Sequence, residues 1–260
     1  GLNLVQVLPV NDTLANLSWQ DSYPYAAISV FALHPLYINV EAIGDIKDKK
    51  IKSAYDKDLI VLNSLQTVDF ELVLTKKMKY FKVLFAQEFN SFNSNSEVKK
   101  FIDNNQEWLK PYSVFCHLRD VNKTANFENW GQLSEFSVSK VEEYFDIKHP
   151  DNQAVLFYVF LQFHADRQLN EAHQYAVSQR VILKGDLPIG IYRYSCDAWV
   201  APELYNMNEQ AGAPPDDFSV LGQNWGFPTY NWEEMAKDNY SWWQKRMQKL
   251  SEYFDALRID

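Results

Sequence analysis

The sequence predicts a parallel α/β fold, and three observations carry that prediction. Leu4-Val-Gln-Val-Leu-Pro9 and Val181-Ile-Leu-Lys-Gly-Asp-Leu-Pro188 are short, nearly continuous apolar runs. Such runs suit strands buried on both faces of a parallel sheet. A long helical pattern precedes the second run, and another precedes a short strand at Ala256-Leu-Arg-Ile-Asp260. Helix followed by strand, twice over, is the rhythm of this fold class.

The first strand ends at Pro9, which has no N–H to give to a ladder. A polar loop follows, Asn11-Asp-Thr13 through Trp19-Gln-Asp-Ser-Tyr-Pro-Tyr25, and then the aromatic-rich extended segment Ser29 to Val40. Residues 1–44 are read as one part of the main unit. Residues 45–150 are charged and helical without strong strand patterns, and are read as an inserted helical subdomain. There Leu74, Met78, Phe81 and Phe85 recur at helical spacing, and Ser96 is placed to cap the helix that begins Val98-Lys-Lys-Phe-Ile. Residues 151–260 return to the main unit. Asp151 can cap a long helix whose first half, Ala154 to Phe163, is apolar nearly all round, as a helix wedged between layers should be. The stretch 189–230 is turn-rich and reads as a lid loop. Asn231-Trp-Glu-Glu234 reads as a capping box. Tyr240, Trp243, Met247, Leu250 and Phe254 then line one face of the last helix.

Composition narrows the function. At 47% hydrophobic and 23% charged the chain is an ordinary globular protein, but 15% aromatic content is high. Surplus Trp and Tyr suit either a core or the apolar faces of sugar rings. A net charge of −9 argues against a nucleic-acid partner, which needs a basic surface. No apolar run reaches membrane-spanning length, so no membrane partner is expected. Two cysteines make no disulfide framework and point to a reducing, cytoplasmic location.

The chemistry gathers at strand ends. Arg258 and Asp260 are two apart on a strand and point the same way. A carboxylate beside a guanidinium stays ionised, the state a carboxylate nucleophile needs. A salt-bridged strand end has the same pattern. Asp186 also closes a strand, and in a (β/α) barrel the C-terminal rim is where active sites are built. Two rim acids with an arginine form a sugar-handling pattern, one attacking the anomeric carbon and the other holding hydroxyls. A turn or cap after Gly185 would account for Asp186 equally well. Tyr25, Trp199 and Trp225 lie in rim loops where they either stack on sugars or pack loops. The five histidines lack metal-ligand spacing, and His164 reads as a hydrogen-bonded core residue. No G-x-S-x-G elbow, dinucleotide fingerprint or P-loop is present. No metal or other cofactor is expected.

At this point the chain resembles a known family, the 4-α-glucanotransferases called amylomaltases or disproportionating enzymes. The likeness runs in order through Val7-Leu-Pro9, Asp21-Ser-Tyr-Pro-Tyr25, Ser29-Val-Phe-Ala32, Gly185-Asp-Leu-Pro188, Ser195-Cys-Asp-Ala-Trp199, Ala213-Pro-Pro-Asp216, Gly222-Gln-Asn-Trp-Gly226 and Phe254-Asp-Ala-Leu-Arg-Ile-Asp260. Asn11-Asp-Thr13 with Ser29-Val-Phe-Ala-Leu-His-Pro35 looks most like the large, maltose-using branch. The usual Thr-Gly-Tyr-Gly loop is absent, so its second glucan contact does not carry over.

The resemblance implies about strands two to four of a (β/α)8 TIM barrel and a retaining transferase of starch, glycogen and maltose metabolism. By that likeness Asp260 is the nucleophile and Arg258 orients it. Asp186 binds the sugar in the reacting subsite, where Tyr25 stacks. Gln223 and Trp225 belong to a lid that closes over the glucan. The implied partners are maltose, maltodextrin or a polymeric α-glucan, together with the remaining barrel strands. Retaining chemistry also needs a second carboxyl group about 5–5.5 Å from the nucleophile, and no acid of this chain matches the family's motif for it. The expectation is therefore an internal fragment, inactive alone. An α-glucan hydrolase of the same barrel clan and a non-catalytic glucan-binding piece are the alternatives.

Overall fold

The computed structural model describes residues 1–217 and 219–259. The chain opens with β1 (Leu4–Gln6) and then runs through four helices: α1 (Lys49–Asn63), α2 (Phe70–Ser94), α3 (Ser96–Asn122) and α4 (Val138–Phe145). The long α5 (Asn152–Ser178) leads into β2 (Ile182–Asp186). After β2 come the short helix α6 (Cys196–Val200) and two small antiparallel ribbons. β3 (Tyr205–Asn206) pairs with β6 (Thr229–Tyr230), and between them in sequence β4 (Gly212–Ala213) pairs with β5 (Gln223–Asn224). Helices α7 (Trp232–Lys237) and α8 (Ser241–Ser251) return the chain to β7 (Ala256–Arg258).

Strands β1, β2 and β7 form one parallel sheet in the order β1-β2-β7. Parallel neighbours need a long crossover, and a helix enters each strand here, α5 before β2 and α8 before β7. The predicted fold class is thus the observed one. Burial of the strands on both faces is not: Leu4 is 46% exposed and Ile182 46%, and only Gly185 and Asp186 of β2 are buried. Among the described residues β1 and β7 each pair with a strand on one side. Among the described residues, the N-terminal ends of β1 and β2 are thus more exposed than the apolar runs imply. The stretch 189–230 contains α6 and both ribbons.

The caps differ in detail from the sequence reading. Asn95, not Ser96, caps α3, accepting from Glu97 N at 2.7 Å. Asp151 precedes α5 but its side chain makes no cap bond. Asn231 accepts from Glu234 N at 3.2 Å, one half of the expected box. Tyr240 stands outside α8 in the left-handed region (φ 59°) and is exposed, so it does not join the packed face.

The core forms around α5, where Val155, Phe157, Val159, Phe160 and Leu161 are buried. Phe160 meets Phe85 at 5.2 Å and Phe92 at 5.3 Å between ring centroids. One hydrophobic cluster takes residues from 1–44, 45–150 and 151–260 alike. His164 sits in it with its ring 4.4 Å from that of Phe160, and burial lowers its pKa to about 4. Its Nδ1 has no hydrogen-bond partner among the described residues, unlike the bonded histidine expected. Trp199 also belongs to this core, 3% exposed against Phe115, Trp130 and Phe136, so it is no rim stacking residue.

Asn11, Asp12 and Thr13, polar in sequence, are buried. Asp12 accepts from Tyr112 Oη at 2.6 Å and from Leu14 N at 3.0 Å, and Asn11 donates to Val30 O at 2.8 Å. A buried polar group is tolerable when it is bonded in this way.

Gly185 leaves room for Phe254, in the link between α8 and β7. A Cβ there would lie 2.6 Å from the Phe254 ring. Gly185→Ala is expected to destabilise the full-length protein by about 1–3 kcal/mol through overpacking. Urea denaturation reads this directly, and an unchanged midpoint would contradict it.

Candidate active site

The parallel register pairs Asp186 with Arg258, the last residues of β2 and β7. Cα partners on adjacent strands present their side chains to the same face, so an acid and a base at these ends must meet. Arg258 Nη1 donates to Asp186 Oδ2 at 2.8 Å, and Leu187 N donates to Arg258 O at 3.1 Å. The Asp186 side chain is fully buried, whereas that of Arg258 is 38% exposed.

Tyr25 completes the cluster across a long sequence gap, its hydroxyl donating to the same Oδ2 at 2.9 Å. The backbone that follows Tyr25 is clamped from both sides. Tyr192 N donates to Ala27 O and Cys196 N to Ile28 O, each at 2.8 Å, while Ile28 N donates to Asp12 O at 2.8 Å. Burial, and then the hydrogen bond to Asp186, raise the Tyr25 phenol above its ordinary pKa, which keeps it a donor. Asp186 Oδ1 is buried and accepts nothing among the described residues. The structure therefore brings Tyr25, Asp186 and Arg258 together. Arg258 ion-pairs with Asp186, a contact that the spacing of the sequence does not announce. Asp260 itself lies outside the described residues.

Gln223 and Trp225 belong to a different element from this trio. They lie at the β4–β5 ribbon, where Trp225 Nε1 donates to Gln223 Oε1 at 3.0 Å and Trp225 N to Ala211 O at 3.0 Å. Among the described residues neither hydrogen-bonds to Tyr25 or Asp186. Gly222 turns the ribbon with φ +73°, and a Cβ on it would lie 2.6 Å from Ala213 O. Only glycine adopts that backbone freely.

Two supporting residues escaped the sequence reading. Arg246 is fully buried on α8, donates to Pro188 O at 2.5 Å and to Tyr230 Oη at 3.3 Å, and lies 4.8 Å from the centre of the Trp243 ring. It thereby fixes the turn directly after Asp186. Its sequence signal was an arginine three residues after Trp243 on a face otherwise apolar. Asp197 follows Cys196 on α6 and accepts from Val30 N at 2.8 Å. That bond ties the chain beyond Tyr25 to α6.

Burial pushes the Asp197 carboxyl up to about 7, against relief from the Val30 N–H and the charge of Arg246. In the unfolded chain an aspartate titrates near 3.9. Between these values the folded protein retains a proton that the unfolded chain has released, so this group's contribution to stability falls as pH rises. Asp197→Asn, which keeps an acceptor for Val30, is expected to gain stability relative to the parent as pH climbs from about 5 to 8. Urea unfolding of the two full-length proteins across that range measures it. A pH-independent difference would contradict the reading.

Among the described residues no group of three or more His, Cys, Asp or Glu is placed to hold a metal ion. No described helix is long and apolar enough to cross a membrane.

Comparison with known proteins places the chain. The sequence model of glycoside hydrolase family 77, described as 4-alpha-glucanotransferase, matches residues 1–260. The chain is 46% identical over 267 residues to 4-alpha-glucanotransferase DPE2 of Oryza sativa subsp. japonica, covering 100% of this chain and 27% of that protein. It is 32% identical over 261 residues to the 4-alpha-glucanotransferase of Chlamydia pneumoniae, covering 100% of this chain and 48% of that one. Its structure is similar to that of the amylomaltase from Streptococcus agalactiae in complex with acarbose. That match has a TM-score of 0.78 at 22% identity and covers 99% of this chain and 51% of the other. The likeness makes the sheet and its crossover helices part of a (β/α)8 barrel. The chain spans between about a quarter and half of the length of these relatives. By its whole length and not by any single motif, the chain belongs to the 4-α-glucanotransferase family, glycoside hydrolase family 77.

Proposed function

We propose that the full-length protein carrying this span transfers α-1,4-glucan segments from maltose or maltodextrin to a glucan acceptor, with retention of configuration. The observation that supports this most is the Tyr25–Asp186–Arg258 cluster at the C-terminal ends of two parallel strands, where a barrel builds its active site. In this reading Asp260 attacks the anomeric carbon as the glycosidic C–O bond breaks, and an acid protonates the leaving oxygen. The 4-hydroxyl of an acceptor glucan then displaces the aspartate and gives up its proton to the conjugate base. Asp186 accepts from hydroxyls of the bound sugar, and the Tyr25 ring stacks on it while its hydroxyl fixes the carboxylate. Arg258 holds Asp186 and supplies positive charge beside the nucleophile.

Gln223 and Trp225 close over the chain and exclude water, so that an acceptor sugar outcompetes hydrolysis. The acid has no candidate among the motif residues of this span, and the span alone is expected to be inactive. We take residues 1–44 and 151–260 as barrel and 45–150 as the helical insertion. Two unpaired, buried cysteines, Cys116 and Cys196, support a cytoplasmic location.

Incubation of the full-length protein with maltotriose tests the reaction. Transfer yields longer oligosaccharides plus glucose. Products that are all shorter than the substrate would identify a hydrolase instead.

A further inference from the structure

A cavity of about 440 Å³ shares no lining residue with the Tyr25–Asp186–Arg258 cluster. It lies between the segment carrying Phe31, the middle of α3, α6 and α8. Its size falls within the ~300–1,000 Å³ usual for small-molecule sites. Rings form its walls. Phe31 and Trp108 lie nearly parallel with centroids 6.4 Å apart, and Trp242 stands edge-on to Phe31 at 6.4 Å. All three are only partly buried, so part of their apolar surface stays uncovered.

The polar groups around these rings suit hydroxyls. Asp197 lines the cavity and is 7% exposed. Its Oδ2 is taken by Val30 N, while its Oδ1 receives no hydrogen bond from a described residue. Asn104 and Gln248 stand exposed at the edge and supply amides that both donate and accept. An anionic ligand is disfavoured because both lining lysines are already paired. Lys245 binds Glu107 at 2.6 Å, and Lys249 binds Asp166 at 3.0 Å and Glu252 at 2.7 Å. The raised pKa of Asp197 also fits a site for a neutral ligand, since the carboxyl is only partly ionised near neutral pH.

We propose that this cavity is a second saccharide site, which holds a short stretch of a linear α-glucan with its ring faces on Trp108 and Trp242 and its hydroxyls on Asp197 and the edge amides. The proposal rests on the glucan reading above. It gives long chains an anchor, through the helical insertion and α8, that short donors do not reach.

The test is calorimetric titration of maltoheptaose into the full-length protein carrying Tyr25→Ala, which weakens the reacting end. Saturable binding is expected to remain. Adding Trp108→Ala is expected to weaken it by about tenfold or more, the loss of one stacking contact. Asn104→Ala with Gln248→Ala, both exposed and harmless to the core, is expected to weaken it as well. Residual binding that ignores all three changes, or no residual binding while the unsubstituted protein still transfers from maltotriose, overturns the second site and leaves the reaction standing. Absence of both transfer and binding in the unsubstituted protein overturns the glucan reading together with it.

Discussion

Asp260→Asn in the full-length protein is expected to lower glucan transfer by about 10⁴-fold or more, because the covalent route is then closed. An amide keeps the shape of the carboxylate but has little power to capture an anomeric centre. Binding of the donor should change little, so the loss belongs in kcat and not in KM. Initial rates with maltotriose, together with maltotriose affinity from calorimetry, separate the two. A variant that retains a tenth of parental turnover would remove Asp260 from the nucleophile's role.

Asp186→Ala is expected to reduce transfer by about 10²–10³-fold, the scale seen when one well-placed polar group is lost from a reacting subsite. The substitution takes away the common acceptor of Tyr25 and Arg258. It should also cost stability, but modestly, because the Arg258 side chain is 38% exposed and reaches water. Asp186→Asn preserves volume and one acceptor oxygen, and is expected to restore the stability without restoring the rate. Full transfer by Asp186→Asn would make the carboxylate a strand-end ion pair and nothing more. Chemical denaturation and product analysis on the same preparations distinguish these outcomes.

Much of the architecture was legible because its signals are local. Apolar runs closed by Pro9 and Pro188 marked β1 and β2, and the nearly all-round apolar stretch Ala154 to Phe163 marked the first half of α5. What stayed hidden depends on register and on which faces meet. The Asp186–Arg258 pair follows from Cα pairing between β2 and β7, which no sequence spacing encodes. Strand alternation placed Arg258 beside Asp260, two residues away, but gave no sign of its contact with Asp186 across strands. Trp199 misled for the opposite reason. Its turn-rich neighbourhood looked like a rim, yet α6 carries its ring inward against Phe115 and Trp130. Asn11-Asp-Thr13 reads as a polar loop by composition, and its burial rests on partners such as the Tyr112 hydroxyl and the Val30 carbonyl, which lie far off in sequence. Arg246 and Asp197 were missed because a buried charge is recognised by its partners, the Pro188 carbonyl and the Val30 amide, and those lie far off in sequence.

The central claim is that sugar is carried covalently on the aspartate two residues after Arg258. Trapping it is the most direct measurement: the full-length protein is treated with a slow fluorinated α-glucosyl fluoride, quenched in acid, digested, and mapped by mass spectrometry. The account predicts one added glycosyl group on the peptide containing Asp260, lost when that residue is asparagine. A glycosyl group on any other residue, or continued transfer with no adduct at all, would contradict it.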